Sequence, residues 1–247
     1  MTDRGWALIT GGARRIGRTL CVRAAEAGFD VLIHSRRPAD AEDTAADVRA
    51  RDRAAHIVGG DLSDPDIGAR LVAAAPGPLR LLVNCASLFE RDEINTLTAA
   101  GLDAAHAVNL RAPVLLAQAF AAALPEDAHG LIVNVIDQRV WRLNPQYFSY
   151  TLAKSALWTA TQTLAQALAP RIRVNAIGPG PTLANVRQTP NLFAAEAAAT
   201  LLAEPVDPNE IAGALAYLID AHAVTGQMIA VDGGQHLAWR TPDIVDD

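Results

Sequence analysis

The sequence predicts one α/β domain over residues 1–247, a doubly wound and mostly parallel sheet with helices on both faces. Three observations predict it. Short apolar runs rich in β-branched residues alternate with longer Ala-rich stretches along the whole chain. The apolar runs are continuous, as in strands that are buried on both faces. No stretch has the composition of an interdomain linker, and the length suits one large α/β domain.

Seven short apolar runs are predicted to be strands, because each is too short for a helix and a helical stretch separates it from the next. In order they are Trp6–Ile9, Val31–His34, His56–Val58, Leu79–Asn84, Leu131–Ile136, Arg173–Ala176 and Met228–Val231. The third run ends at Gly59-Gly60-Asp61, a sequence typical of turns.

The longer stretches are predicted to be helices because they are rich in Ala and in charged residues. They are Arg15–Ala27, a polar segment to about Arg51, Asp64–Ala75, Leu102–Leu124 as one helix or a broken pair, Ser149–Ala169 and Asn209–Ile219. Gly28 ends the first one, since glycine is favoured just past a helix C-terminus. Pro179–Pro208 is an elaboration of the domain, in which Ala194–Leu202 has the pattern of a short amphipathic helix.

Composition excludes several classes of partner. A net charge of -6 and a pI near 5.5 give no electrostatic reason to expect nucleic acid or an anionic membrane as a partner. Cys21 and Cys85 lie in apolar contexts, which favours buried thiols, and the histidines have no ligand-like spacing, so no metal site is expected. The N-terminus does not resemble a signal peptide and no apolar run could span a bilayer; we expect a soluble, cytoplasmic protein.

A glycine-rich loop joins the first strand to the first helix. It reads Thr10-Gly11-Gly12-Ala13-Arg14-Arg15-Ile16-Gly17. Glycines at this position let backbone N–H groups approach a pyrophosphate at the positive end of a helix. A tight strand–helix turn also needs glycine, but the place of this loop in the alternation favours dinucleotide binding by Gly11, Arg14, Arg15, Ile16 and Gly17.

The end of the second strand indicates which dinucleotide binds. An NAD site needs an acid there for the ribose 2′-hydroxyl, whereas an NADP site needs arginines for the 2′-phosphate. The chain has His34-Ser35-Arg36-Arg37 and no acid before Asp40. Solvated surface charge would also explain Arg36 and Arg37, but two adjacent arginines here favour a phosphate clamp and NADPH as the cofactor.

The chain contains a single lysine. Of its 21 basic residues only Lys154 is not an arginine, and it follows Tyr150 by four positions. On a helix this spacing places both side chains on one face, where the ammonium could lower the pKa of the phenol. A Tyr and a Lys four apart are common on helices without any function, but the lone lysine favours a proton-transfer pair.

These features together resemble the short-chain dehydrogenase/reductase family over nearly the whole chain. Thr10–Gly17 resembles its glycine loop, and Tyr150-Thr151-Leu152-Ala153-Lys154 its Y-x-x-x-K motif. The other matching segments, in order, are Asp61-Leu62, Asn84-Cys85-Ala86-Ser87, Asn109, Asn175–Gly180 and Val231–Gly234.

The resemblance implies a Rossmann fold and a role for each matching residue. Cofactor contacts are implied for Asp61, Leu62, Asn84, Ala86, Ser87, Lys154, Pro179 and Gly180, beside the glycine loop and His34 through Arg37. Asn109 would hold a water relay behind Lys154, and Lys154 would hold the nicotinamide ribose. The resemblance also implies a homotetramer and a substrate lid at about 182–204.

The departures from the family pattern resemble its pteridine reductase branch, which includes bacterial dihydromonapterin reductases. Asp137 stands 13 positions before Tyr150, where the family usually has a catalytic Ser. Arg15 replaces the middle glycine of the loop, and Ser87 replaces a glycine shortly before Phe89. In that branch an aromatic residue at the position of Phe89 stacks on the pterin.

The chemistry of a dihydropterin suits these replacements. Reducing a C=N bond needs a hydride at carbon and a proton at nitrogen, which a carboxylic acid can donate directly or through the tyrosine or a water. We therefore predict a substrate site formed by Arg15, Ser87, Phe89, Asp137 and Tyr150. Asp137 could instead cap the strand or pair with Arg139 or Arg142, Phe89 could be core, and Arg15 an ordinary first residue of a helix.

Two other functions remain open from the sequence. The first is a reductase of the same family that acts on a ketone, aldehyde or cyclic imine, with Asp137 as a local variant. The second is a non-catalytic NADPH-binding sensor, which the presence of Asn109, Tyr150 and Lys154 disfavours because a mere binder has no use for a proton relay.

Overall fold

A computed structural model of the chain describes residues 4–184 and 188–240. The strands are β1 Trp6–Thr10, β2 Asp30–Ser35, β3 Ala55–Gly59, β4 Leu79–Asn84, β5 Gly130–Val135, β6 Ile172–Pro179 and β7 Met228–Val231. The helices are α1 Arg15–Glu26, α2 Glu42–Arg49, α3 Ile67–Ala73, α4 Ala99–His106, α5 Ala112–Ala123, α6 Phe148–Leu168, α7 Pro190–Ala198 and α8 Pro208–Asp220. Each strand lies within two residues of where the sequence predicts it, except β6, whose end is three residues later.

All seven strands form one parallel sheet in the order β3-β2-β1-β4-β5-β6-β7. The prediction of a doubly wound sheet is confirmed, and the sheet is entirely parallel. Both halves of the sheet start at its centre, because β1 pairs with β2 on one side and with β4 on the other. The connections leaving β1 and β4 therefore diverge, and they open a crevice at the carboxyl edge of the sheet.

Each face of the sheet is covered by its own apolar layer. Ile9 of β1 packs with Leu20 of α1 and Leu215 of α8 on one face. Leu8, its neighbour in β1, packs with Leu116 and Phe120 of α5 on the other. Alternate residues of one strand thus enter opposite cores, which is why the strand sequences are continuously apolar.

The predicted helix over Leu102–Leu124 is neither one regular helix nor a broken pair. α4 and α5 are joined without interruption by a turn of π-helix, Ala107–Arg111. Such turns insert one extra residue into a helix and are frequent at functional sites. Asn109, which the sequence analysis assigns to the site, lies in this turn and is fully buried.

The segment after β6 differs most from its prediction. The helix predicted over Ala194–Leu202 is α7, which begins and ends four residues earlier. Thr189 caps it by accepting a hydrogen bond from the Leu192 N–H, and Pro190 fills the first helical position. Both are strong helix-start signals. Residues 185–187 of the predicted lid lie outside the described residues. Within the described part of the chain, no helix combines the length and apolarity needed to cross a membrane.

Candidate active site

The glycine loop after β1 is packed too closely for larger side chains. Gly11 has φ +67°, and a Cβ there would lie 2.8 Å from the Cα of Ala86. A Cβ on Gly17 would overlap the carbonyl of Gly11. α1 begins after Arg14 with no side-chain cap and no acid in its first turn. Its first N–H groups and its positive end are therefore left for an anion, and the residues fit a dinucleotide pyrophosphate.

His34, at the end of β2, contacts the glycine loop through its buried imidazole ring. Its ring is 2% exposed, with Nδ1 3.4 Å from the Gly11 nitrogen and Nε2 3.1 Å from the Gly60 carbonyl oxygen. Burial lowers the pKa of His34, and a neutral ring protonated at Nε2 satisfies both contacts. His34 is predicted to contact the cofactor; in the structure its side chain joins the glycine loop to the end of β3.

Arg15 reaches from the glycine loop to the predicted lid. Its backbone is left-handed at φ +54°, a conformation that glycine adopts without strain. Its guanidinium donates to the carbonyl oxygens of Leu183 and Ala184 at 2.8 and 2.7 Å. Partial burial, and then the charge of Arg14, lower its pKa. Arg15 is thus more than the first residue of a helix, since it links the two segments that border the crevice.

The two arginines after β2 differ in their surroundings. Both are exposed, but Arg37 donates to Asp40 over 3.0 Å. Hydrogen bonds from Ser63 lower the pKa of Asp61, and the charge of Arg36 adds to that effect. Arg37 is therefore hydrogen-bonded to the carboxylate of Asp40, whereas Arg36 interacts with Asp61 through charge.

Asp137 and Tyr150 are in direct contact. β5 ends at Val135, and Asp137 follows it at the carboxyl edge of the sheet. The Tyr150 hydroxyl donates to Oδ2 of Asp137 over 2.9 Å, and the Arg139 N–H donates to Oδ1 over 2.8 Å. Asp137 therefore caps the short turn Gln138–Val140 through the Arg139 backbone, where the alternative expectation was a cap on the strand or a pairing with Arg139 or Arg142, and it also binds the tyrosine.

Burial shifts both groups towards their uncharged forms. Burial raises the pKa of Asp137, and the opposing charge of Arg139 only limits the rise. Burial, followed by the charge of Asp137, raises the pKa of Tyr150 well above its ordinary value. The expectation that Lys154 lowers the pKa of Tyr150 is wrong for this arrangement, because burial and the neighbouring carboxylate outweigh any effect of the ammonium. Asp137 and Tyr150 therefore both favour their protonated, uncharged forms.

Lys154 lies on the same face of α6 as Tyr150. Its Nζ is 5.7 Å from the centre of the Tyr150 ring and donates to the Val135 carbonyl over 2.7 Å. The residue is only 2% exposed, and burial lowers its pKa to about 8. A lysine with a pKa near neutrality can exchange a proton, which an arginine in this position could not.

The π-helical turn holds the segment that follows β4. The side-chain oxygen of Asn109 accepts from the Ser87 hydroxyl and the Leu88 N–H at 3.0 and 2.9 Å, and its amide donates to the Leu88 carbonyl at 2.9 Å. Ser87 also interacts with the hydroxyl of Tyr150 and opposes the rise of its pKa. Ser87 thus bridges Asn109 to Tyr150, while the predicted water relay stays a prediction.

Phe89 lies against Tyr150, and one face of the Phe89 ring is covered by Tyr147. Its ring stacks on Tyr147 at 4.1 Å with 8° between the planes, and it meets Tyr150 edge-on at 4.7 Å. Tyr147 has a left-handed backbone with φ +55°, and the Arg139 guanidinium lies 5.4 Å from its ring centre. Tyr147 therefore occupies a position that a flat ligand ring would need in order to stack on that face of Phe89.

The other residues predicted to contact the cofactor fall into two groups, one buried and one partly exposed. Ser35, Leu62 and Asn84 are buried, and Asn84 donates to Asn134 over 2.8 Å. The residues that border the crevice with some exposure are Ile16, Ala86, Pro179 and Gly180. At Gly180 a Cβ would meet the Asp232 backbone at 2.6 Å, which explains the need for glycine there.

Sequence reasoning missed two contributors to this site. Tyr147 carries no motif, and only the structure shows its left-handed backbone and its stack on Phe89. Asp92 lies in a polar loop, yet its carboxylate accepts the Ser149 N–H over 3.1 Å at the start of α6. Across residues 4–184 and 188–240 there is no cluster of three or more metal-ligating side chains.

Comparisons with known proteins identify the family to which the chain is similar. The family model described as enoyl-(acyl carrier protein) reductase matches residues 11–236. An uncharacterized oxidoreductase of Mycobacterium tuberculosis is 35% identical, with 92% of this chain and 90% of that protein covered. Dihydromonapterin reductase of Klebsiella pneumoniae is 28% identical, with 93% and 96% covered.

The solved structures include a nearer relative. The crystal structure of FolM alternative dihydrofolate reductase 1 from Brucella canis, complexed with NADP, has a TM-score of 0.94 and 49% identity, with 99% of each chain covered. The corresponding protein from Brucella suis, also in complex with NADP, has a TM-score of 0.93 and 49% identity, with 99% and 100% covered.

Proposed function

The chain belongs to the short-chain dehydrogenase/reductase family of oxidoreductases, and we propose that it is an NADPH-dependent reductase of a pterin-type heterocycle. The observation that carries the proposal is the contact between Asp137 and Tyr150. A carboxyl group with a raised pKa takes the place of the usual serine and shares a hydrogen bond with the tyrosine. Such a group can give a proton to a ring nitrogen.

The cofactor is NADP(H), which the two Brucella FolM proteins were crystallised with. The close-packed glycine loop, the uncapped start of α1 and the exposed Arg36 fit its phosphates. When bound, NADPH supplies the hydride. We expect Arg36 to bind the 2′-phosphate with help from Arg37, and Lys154 to hold the nicotinamide ribose.

On the substrate side the chain supplies the proton. Asp137 in its acid form donates to the ring nitrogen of a C=N bond and becomes a carboxylate. The Tyr150 hydroxyl already donates to this carboxyl, so it stabilises the carboxylate as it forms and can pass a proton from solvent to restore the acid. A ketone reductase needs a hydroxyl here to hold the carbonyl; a carboxyl suits the donor and acceptor edge of an aminopyrimidine.

The names of relatives agree with this substrate class. One is a dihydromonapterin reductase and two are alternative dihydrofolate reductases, all acting on pterin-type rings by their names. We further propose that Phe89 stacks on the substrate ring, that Arg15 contacts it or a cofactor phosphate, and that 182–204 closes over it. A homotetramer and a cytoplasmic location, which the family resemblance and the sequence favour, remain part of the proposal.

The test is NADPH oxidation with dihydrobiopterin, dihydromonapterin and dihydrofolate. The purified protein is compared with Asp137→Ser, which restores the usual family residue, and with Asp127→Ser, a matched change at an exposed acid remote from the crevice. We expect pterin turnover in the wild type and in Asp127→Ser, and a loss of about a hundredfold or more in Asp137→Ser. Turnover of a carbonyl panel without any pterin turnover would contradict the proposal.

A further inference from the structure

The helix that carries the catalytic tyrosine has no cap from its own sequence. Tyr147 occupies the N-cap position with a left-handed backbone and makes no side-chain capping bond. No acid lies in the first turn of α6. The first N–H groups of a helix have no partner within it, so a buried start requires acceptors from elsewhere. Ser149, in this first turn, is only 3% exposed.

Asp92 supplies these acceptors from 57 positions earlier in the chain. Its backbone carbonyl accepts the Phe148 N–H over 3.3 Å. Its carboxylate accepts the Ser149 N–H, with oxygens at 3.1 and 3.3 Å, and also the Ser149 hydroxyl. A carboxylate at a helix N-terminus is favoured by the helix dipole and forms charge-assisted hydrogen bonds.

Asp92 is the far end of a short segment, residues 87–92, that spans the site. Asn109 of the π-helical turn fixes the near end through Ser87 and Leu88. In the middle, Phe89 contacts the ring of Tyr150. The segment is thus bonded at one end to the π-helical turn and at the other to the residue that precedes Tyr150.

We propose that Asp92 is a positioning residue that sets the first turn of α6 so that the Tyr150 hydroxyl reaches Asp137. In this role Asp92 acts through Ser149, whose N–H and hydroxyl it binds. Tyr150 is the third residue of the helix, so a tilt of the first turn moves its hydroxyl away from the 2.9 Å contact with Asp137. Misplacement of a reacting group by about 1 Å can cost up to about a hundredfold in rate. The role in catalysis rests on the proposed reductase activity.

The experiment compares Asp92→Ala and Asp92→Asn with Asp207→Ala. Asp207 caps α8 by accepting the Asn209 N–H over 2.8 Å, so it is a matched helix-capping acid outside the proposed site. We expect Asp92→Ala to lower kcat about tenfold or more, with KM and the NADPH Kd changed less than about twofold. Asp92→Asn should recover most of the rate because its amide oxygen still accepts from Ser149. Asp207→Ala should leave kcat unchanged.

Amide hydrogen exchange tests the role of Asp92 independently of whether the protein reduces a pterin. Asp92→Ala should speed amide exchange in peptides that cover residues 148–151. Asp92→Asn, whose neutral amide oxygen accepts more weakly than a carboxylate, should speed exchange there to a smaller extent, and Asp207→Ala should not speed it. Unchanged exchange there would overturn the role of Asp92 even if the wild type turned over no pterin. A kcat equal to that of the wild type, or an equal fall in kcat and NADPH affinity, would also overturn it.

Discussion

The two sides of the crevice differ in whether their ionisable side chains are exposed or buried. On the glycine-loop side the charged groups that would meet the cofactor, Arg14, Arg36 and Arg37, are exposed. On the other side, burial shifts the pKa of Asp137 and Tyr150 up and that of Lys154 down to about 8. Each of these three shifts favours the uncharged form of the group.

This difference matches the chemistry of the cofactor and of the proposed substrate. Exposed arginines retain their charge and can bind phosphates at little desolvation cost. Buried acids whose pKa values are raised keep their protons until an acceptor binds, and Lys154, with a pKa of about 8, can exchange one. The cofactor side is therefore suited to holding a charged ligand, and the other side to moving a proton. Variants on each side of the crevice test this division.

Tyr150→Phe should produce the largest effect. The ring and its contact with Phe89 remain, but the hydroxyl that donates to Asp137 is lost. We expect kcat for a dihydropterin to fall by about two to four orders of magnitude, while the NADPH Kd stays within about twofold. Steady-state kinetics and cofactor fluorescence measure the two quantities. Tyr217→Phe, at an exposed position of α8, is the control. A parallel loss of NADPH affinity in Tyr150→Phe would contradict the division between the two sides of the crevice.

Gly17→Ala should weaken cofactor binding on the glycine-loop side of the crevice. A Cβ at this position would overlap the carbonyl of Gly11 and push the glycine loop away from α1. We expect NADPH affinity to fall about tenfold to a hundredfold and the melting temperature to fall with it. Gly213→Ala is the matched control, since a Cβ in that helix meets no atom within 4 Å and alanine favours the helix. Equal NADPH affinity in both variants would contradict the proposed phosphate site.

Arg36→Ala and Arg37→Ala should separate two neighbours that the sequence does not distinguish. Arg37 already donates to Asp40, whereas Arg36 interacts with Asp61 through charge. We expect Arg36→Ala to reduce the preference for NADPH over NADH by about tenfold, and Arg37→Ala by less. The ratio of kcat/KM values for the two cofactors measures this. A larger loss in Arg37→Ala would show that Arg37 leaves Asp40 to bind the phosphate.

Local patterns allowed much of this molecule to be predicted. The strands follow from short apolar runs, and the glycine loop follows from its place after β1. Tyr150 and Lys154 share a helix face because a spacing of four residues requires it. The family position of Asp137, 13 residues before Tyr150, indicated a place in the site, and the structure puts its carboxylate 2.9 Å from the Tyr150 hydroxyl.

The missed features depend on contacts between distant parts of the chain. The bond from Asp92 to Ser149 and the bonds from Arg15 to Leu183 and Ala184 leave no periodic pattern in the sequence. The direction of the Tyr150 pKa shift was predicted wrongly because it depends on burial and on the Asp137 carboxylate more than on the nearby lysine. Sequence spacing places groups on a common face, but it does not give the balance of desolvation and charge around them.

Asp137→Asn should change thermal stability only slightly, and this small change tests whether burial opposes the charge of the Asp137 carboxylate. Because the pKa of Asp137 is raised in the folded state, its ionised form is less favourable there than in the unfolded chain. The wild type therefore loses stability as pH rises from the ordinary pKa of an aspartate through the raised value. An asparagine can keep the hydrogen bond from the Arg139 N–H, and because it does not ionise it does not lower stability as pH rises. We expect a Tm gain of about 2–5 °C at pH 8 and a smaller gain at pH 5, together with lost pterin turnover. Thermal unfolding across pH measures this. A Tm gain that is the same at all pH values would show that the carboxylate is not opposed by burial, and the acid role of Asp137 would then lose its physical basis.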